Sequence, residues 1–391
     1  MAGAGLAVLV VAAIASLFMA WAIGAGSSGS TPFAPAVGAN AITVMRAGFV
    51  VGILGFAGAV FQGANVSEAV GRELVVGTTL SPLAATTALI IAATLVAIGV
   101  FTGYPIATAF TVTGAVVGTG LAMGGEPAWA KYTEIGTLWV LVPFVGGGIA
   151  YVTARGLRSI DRDTATVPVL GGVVGVIVAN IQFVFFGPSD VSRSLARTAA
   201  LRVGDAELAV HAATTLLVAA LVAVVLYRDV AGDAERGQRH FLLALGGLVA
   251  FSAGGSQVGL AVGPLLPLVG DDIPLVYVLV GGGIGLLVGS WTGAPRMIKA
   301  ISQDYSSLGP RRSIAALIPS FAIAQTAVFF GIPVSFNEII VSAIVGSGYA
   351  ASTGGGVSRR KMLFTIAAWV ASLALALGVS YAAFLGVSAV F

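Results

Sequence analysis

The chain has 391 residues, 58% of them hydrophobic and 9% charged, with a formal net charge of +3 and a mean hydropathy of +1.02. Soluble domains carry roughly 25% charged residues, so this composition excludes a water-soluble fold and describes an all-α polytopic membrane protein. The absence of Cys excludes disulfides, thiolate metal sites and Cys nucleophiles; with only His211 and His240 to ligate a metal, no cofactor is expected.

Apolar runs able to cross a bilayer recur at residues 4–24, 41–62, 76–101, 106–124, 135–154, 166–187, 206–227, 241–262, 273–293, 313–331, 338–350 and 363–390. The expected count is therefore about 10–12 transmembrane helices. No Lys or Arg precedes the first run, so it reads as a retained membrane helix rather than a cleaved signal peptide with a basic leader. It passes into "WAIGAGSSGSTPFAPAVG" (21–38), where Ser27, Ser28, Ser30 and Thr31 cluster among Gly and Pro. Further on, "GYPIATAFTVTGAVVGTGLA" (103–122) brings Thr108 just after Pro105. Arg155, Arg158, Arg162, Arg193, Arg197 and Arg202 then punctuate the loops, a pattern of lipid headgroup contacts and cytoplasmic loops rather than a nucleic-acid face.

The most charged connection, "YRDVAGDAERGQRH" (227–240), divides the chain into a first half at 1–227, a connecting loop at 228–240 and a second half at 241–391. His240 at this loop and His211 near a helix start read as solvated or structural. The second half opens with "AFSAGGSQVGLAVGPL" (250–265), which carries Ser256 and Gln257. "VGGGIGLLVG" (280–289) reads as a packing face, because small residues let helices approach in lipid. "GIPVSFNEIIVSAIVGSGYA" (331–350) contributes Ser335, Asn337 and Glu338.

The halves repeat one another. Residues 103–122 align without a gap on 331–350 at an offset of 228, matching at Gly103/Gly331, Pro105/Pro333, Ala115/Ala343, Val117/Val345, Gly118/Gly346, Gly120/Gly348 and Ala122/Ala350. The segment 21–38 pairs with 250–265 at nearly the same offset, 230. Two motifs repeated in the same order at the same spacing indicate duplication, the architecture of many secondary transporters.

All four segments are apolar helices interrupted by Gly, Pro, Ser or Thr, which lipid tolerates only where the break is buried in protein or lines a watery cavity. Half-helix N-termini supply free N–H groups and a positive dipole end. Ser27, Ser28, Ser30, Thr31, Thr108, Ser256, Gln257, Ser335 and Asn337 add hydroxyl and amide groups, so the expected ligand is a small oxyanion. The plainer readings are hydroxyls bonded back to their own backbone and simple helix kinks. Glu338 alone among the acids follows a Pro break inside an apolar run. Its cost of roughly 2.5–3.5 kcal/mol at membrane depth marks it as a coupling or proton-handling residue, the alternative being a carboxylate at a helix's first turn. A membrane enzyme would need a nucleophile, base or metal cluster that this chain does not offer; a passive channel is the other competing class.

These motifs resemble the PiT family of inorganic phosphate transporters, which includes sulfate permeases. "GIPVSFNEIIVSAIVGSG" and "GYPIATAFTVTGAVVGTG" resemble its paired Pro-led Ser/Thr-rich segments. "FSAGGSQVGLAVGPL", and "WAIGAGSSGSTPFAPAVG" followed by "GFAGAVFQGANVSEAVG" (55–71), resemble its two signatures. The resemblance implies two inverted repeats with broken or re-entrant helices and a central site at their interface. It also implies secondary-active phosphate uptake (sulfate being the alternative) by Na⁺ or H⁺ symport in the plasma membrane, and it is compatible with a homodimer. The family's Asn-Asp pairs are replaced here by Gly26-Ser27 and Ser256-Gln257, its segment-ending His by Phe110 and Glu338, and an acid by Gly55. Without the paired carboxylates, Na⁺ loses its obvious hard ligands.

Overall fold

A computed structural model describes residues 2–160, 162–187, 192–203, 206–269, 273–350 and 357–390, with side chains from residue 7 onward. Helix α1 (Ala2–Ile23) ends in a π-turn at Gly24–Ser28, followed by α2 (Ala34–Gly38), α3 (Val44–Gln62), α4 (Ala64–Arg72), α5 (Pro82–Thr102), α6 (Thr108–Ala122) and α7 (Trp129–Ser159). Next come α8 (Asp163–Asn180), α9 (Leu195–Ala200) and α10 (Glu207–Gly232). The chain finishes with α11 (Ala234–Val262), α12 (Leu266–Val269), α13 (Leu275–Thr292), α14 (Ala294–Asp304), α15 (Pro310–Phe330), α16 (Phe336–Tyr349) and α17 (Arg359–Ser388). Ten of the described helices are long and apolar enough to cross a membrane.

Residues 106–124 and 338–350, expected as spans, do not qualify as crossings. Helix α6 has 15 residues and α16 has 14. At 1.5 Å per residue they reach about 22 Å, short of the roughly 30 Å hydrocarbon core. Both follow an abrupt stop. Helices α5 and α15 start at a Pro, 228 residues apart, and end on Gly103 (φ 77) and Gly331 (φ 64), left-handed positions where a side chain is strained. A short non-helical segment holding Pro105 or Pro333 then leads inward, so α6 and α16 are re-entrant half-helices.

The halves grip each other reciprocally. Trp139 Nε1 on α7 donates to Pro333 O at 2.9 Å, and Trp369 Nε1 on α17 donates to Pro105 O at 2.7 Å. Each half thus holds the unwound segment of the other. Close approach depends on glycine: no Cβ fits at Gly58 against Phe251 O or at Gly254 against Gly55 O, and within 280–289 none fits at Gly289 against Trp21 O.

The connection expected as a loop at 228–240 is helical on both sides of Asp233, the one extended residue between α10 and α11. Its carboxylate caps α11 by accepting from Glu235 N and Arg236 N at 3.0 and 3.1 Å, so the polar charge there starts a helix instead of ending one. Helix α8 packs along α10, whose Leu216, Leu217, Leu221 and Val225 stay exposed where lipid would lie.

Cationic residues gather at one end of the bundle. The end of α7, the α10–α11 joint and the starts of α15 and α17 supply Arg155, Arg158, Arg228, Arg236, Arg239, Arg311, Arg312, Arg359, Arg360 and Lys361. Cross-links put these elements together: Arg311 to Asp163 at the start of α8, Arg239 Nε to Ala41 O at 2.9 Å, Arg158 to Ala350 O at 3.1 Å and Lys361 to Asp304 at 3.2 Å. The ends of α3, α8 and α15 lie at the opposite face, where Asn65 Nδ2 donates to Val328 O at 3.2 Å.

Candidate functional site

Three helix breaks meet at one buried point on α11, which runs unbroken to Val262 through most of the segment expected to be interrupted. The π-turn after α1 presents Ser27, α6 begins with Thr108, α11 carries Gln257 mid-helix, and the first turn of α16 carries Asn337. All four are at most 1% exposed. Gln257 Oε1 accepts from Thr108 Oγ1 at 2.8 Å and from Ser27 Oγ at 3.2 Å, and Thr108 Oγ1 stands 3.3 Å from Ser27 Oγ. Ser27 and Gln257 are the repeat-related pair at offset 230, so the signature positions of the two halves meet directly.

The two amides serve the unwound backbone. Gln257 Nε2 donates to Val334 O at 2.7 Å; Asn337 Nδ2 donates to Ile106 O at 2.7 Å and to Gly26 O at 2.9 Å. Ile106 and Val334 are the repeat-related carbonyls of the segments before α6 and α16. Their helical partners were lost when the chain unwound, and a side-chain N–H replaces each.

Some polar atoms on α11 and at the start of α16 remain without a hydrogen-bond partner although buried: Ser256 Oγ, Ser335 Oγ, Asn337 Oδ1 and Glu338 Oε2. The Asn337 amide orientation is set by its network, because Nδ2 must face two carbonyls; Oδ1 is left as a free acceptor. Ser335 is the N-cap of α16 but makes no capping bond with its side chain. The first-turn N–H groups of α6 and α16 have no acceptor within their own helices.

The other expected site residues fall into a different role. Ser30 Oγ and Thr31 Oγ1 both donate back to Ser27 O, at 3.2 and 3.0 Å, and so do their backbone N–H groups, at 3.0 Å each. They hold the turn that presents Ser27. Ser28 is buried in the same turn.

Glu338, 1% exposed, sits in the first turn of α16 with Oε2 unpartnered. Its repeat counterpart Phe110 stacks on Trp139 with ring centroids 3.9 Å apart. The repeat-related position thus holds a carboxyl in one half and an aromatic stack in the other. Among the described residues there is no group of three His, Asp or Glu side chains that could hold a metal ion. His211 pairs with Asn180 Oδ1 at 2.9 Å and His240 with Asp229 Oδ2 at 2.7 Å, both away from the site.

Sequence reasoning missed Trp139 and Trp369. A signal existed: the dipeptide Trp-Val recurs at 139–140 and 369–370, at the 230-residue offset of the first signature pair.

A family described as the phosphate transporter family matches residues 23–380. Relatives include a protein named "Putative phosphate permease" from Thermococcus kodakarensis, 25% identical, with 88% of each chain covered. The chloroplastic inorganic phosphate transporter 2-1 of Arabidopsis thaliana is 23% identical over 91% of this chain and 68% of its own. A solved structure described as "The sodium-dependent phosphate transporter" shares the fold, with a TM-score of 0.81 at 23% identity, covering 98% of this chain and all of that one.

Proposed function

This chain belongs to the phosphate transporter family, and from that premise we propose that its central polar cluster binds inorganic phosphate during proton-coupled symport. The observation that carries the reading is the set of buried, unpartnered atoms on Ser256 of α11 and on Ser335, Asn337 and Glu338 at the start of the re-entrant α16. Leaving a polar group buried and unpaired costs about 1–3 kcal/mol, a debt that a bound oxyanion discharges. Ser256, Ser335 and the first-turn N–H groups of α6 and α16 supply donors, while the Ser27 and Thr108 hydroxyls, whose hydrogens go to Gln257 Oε1, offer only acceptor lone pairs.

Phosphate is favoured over sulfate by the acceptors. At neutral pH phosphate keeps an O–H that must donate, and Asn337 Oδ1 is a free acceptor at the site. Sulfate has no proton to give, so the same oxygen would face its charge unrelieved.

Protons are favoured over Na⁺ because the unwound carbonyls of Gly26, Ile106 and Val334 each already accept from an amide N–H, which leaves each one lone pair fewer for a cation. Glu338 is then the group that carries the proton: neutral, it tolerates the anion; ionised, it repels it. Ser30 and Thr31 support the site through the turn, and Ser28 lies beside them. By the positive-inside rule the Arg-rich end faces the cytoplasm. The plasma membrane as location and a homodimeric assembly belong to the same reading.

Equilibrium binding of labelled phosphate to the purified protein tests it. Binding that weakens at least tenfold in Ser335→Ala and Asn337→Leu, with sulfate a poor competitor, is expected. Undiminished binding in both variants, or equal competition by sulfate, overturns it.

A further inference from the structure

A cavity of about 350 Å³ opens between α8 and α15 at the face opposite the Arg-rich end, lined in part by Asn65, Asn180 and Gln182. At its inner wall stand Gln62, 4% exposed, and Gln325, 9% exposed. Their amides are bonded reciprocally: Gln62 Nε2 donates to Gln325 Oε1 at 3.3 Å, and Gln325 Nε2 donates to Gln62 Oε1 at 3.2 Å. The remaining amide hydrogens go to Gln182 O at 2.8 Å and Ser252 Oγ at 2.6 Å.

This ring adjoins the central site. Ser252 lies one turn before Ser256 on the same face of α11, and Gln62 packs against Gly255, where an added Cβ would come within 2.7 Å of the Gln62 Cβ. Polar groups thus run on from the cavity through Gln62 and Gln325 to Ser252, with the unpartnered Ser256 one turn along α11. Every member is polar and none is charged.

The repeat-related positions hold no such ring. At the repeat offsets, Gln62 corresponds to Thr292, Gln325 to Ala97 and Ser252 to Ala22. Thr292 Oγ1 donates to Val288 O at 2.7 Å and accepts from Trp21 Nε1 at 2.9 Å, and both alanines are buried. Amide ring and cavity thus occur together where α3, α11 and α15 meet, whereas the repeat-related positions are filled by methyl groups and an engaged Thr.

We infer that the Gln62–Gln325 amide pair is the latch through which the transported anion passes between this cavity and the central site. The chemistry suits the task. Each amide can turn to offer an N–H to a passing oxyanion, and a neutral pair neither traps the anion, as an arginine would, nor repels it, as a carboxylate would. The inference rests on the central cluster being the anion site, and with the Arg-rich end cytoplasmic the latch faces outward.

The natural absence of Cys makes a direct test available. Ser256→Cys is introduced alone and together with Gln62→Ala or Gln325→Met, and the rate of modification by a membrane-impermeant, sulfonate-bearing thiol reagent is measured from each face of oriented proteoliposomes. Gln325→Met keeps the side chain's length and removes only its hydrogen bonds, and Thr292→Ala serves as the repeat-matched control. Modification at least tenfold faster from the latch face only, with Thr292→Ala unchanged, is expected. Equal rates with and without the latch, or acceleration from both faces, overturns the inference. The readout needs no phosphate transport, so accelerated modification in a protein that binds no phosphate would leave the latch standing as a gate and remove the reading of the central site.

Discussion

Replacing Asn337 by Leu separates the support of unwound backbone from ordinary side-chain packing. The substitution keeps the branched shape and removes Nδ2, which donates to both Gly26 O and Ile106 O. Both carbonyls lie in broken segments without helical acceptor duties, and each orphaned buried carbonyl costs about 1–3 kcal/mol, so the sum is about 2–6 kcal/mol. Ser30→Ala is the matched comparison. It removes one donor at 3.2 Å from Ser27 O, which keeps the Thr31 hydroxyl and two backbone N–H groups. Its cost is below about 1 kcal/mol, because no group is left unpaired. Unfolding in mixed detergent micelles, followed by tryptophan fluorescence, reads both. Asn337→Leu with wild-type stability, or Ser30→Ala as damaging as Asn337→Leu, would refute the assignment of the Asn337 amide to backbone support.

Glu338→Gln removes the site's titrating carboxyl, so phosphate uptake should lose its response to an imposed pH gradient; a pH profile identical to wild type argues against a proton role. Trp139→Phe and Trp369→Phe each delete one hydrogen bond to an unwound carbonyl, worth about 0.5–1.5 kcal/mol, and should lower stability by similar amounts; a large effect in only one contradicts the reciprocal grip. Gly103→Ala and Gly331→Ala both force a side chain into the left-handed region, at roughly 1–2 kcal/mol. Gly331→Ala should be the worse in a melting experiment, because its Cβ would approach Asn65 O to 3.0 Å whereas that of Gly103 meets open space. Reversed order would show that strain elsewhere dominates.

The repeat was legible in the chain because Pro105/Pro333 and the glycines around them recur at one offset, and the same residues stop α5 and α15 and turn α6 and α16 inward. Ser27, Thr108, Gln257 and Asn337 could be nominated because polar residues in apolar helices are few. Their division of labour could not. That Gln257 and Asn337 spend their N–H groups on unwound carbonyls, Asn337 on two of the opposite half, follows from tertiary packing that brings together residues 77 to 311 positions apart. The same long separation hid Trp139 and Trp369. Thr31 and Ser30 looked equal to Ser27 in sequence, and only the π-turn decides which hydroxyl faces inward. Gln62 and Gln325 have no periodic signature, since one Gln near a helix end becomes informative only when its partner is seen. At the Asp233 joint charge density does not separate a loop from a capped helix start, because the two differ only in backbone geometry.

The most direct test of the account is uptake of labelled phosphate by proteoliposomes under separately imposed proton and Na⁺ gradients. Saturable, uphill uptake driven by an inward proton gradient without Na⁺, and little inhibited by sulfate, is the predicted result. Uptake that requires Na⁺ and ignores the proton gradient, or that serves sulfate as well as phosphate, would contradict it.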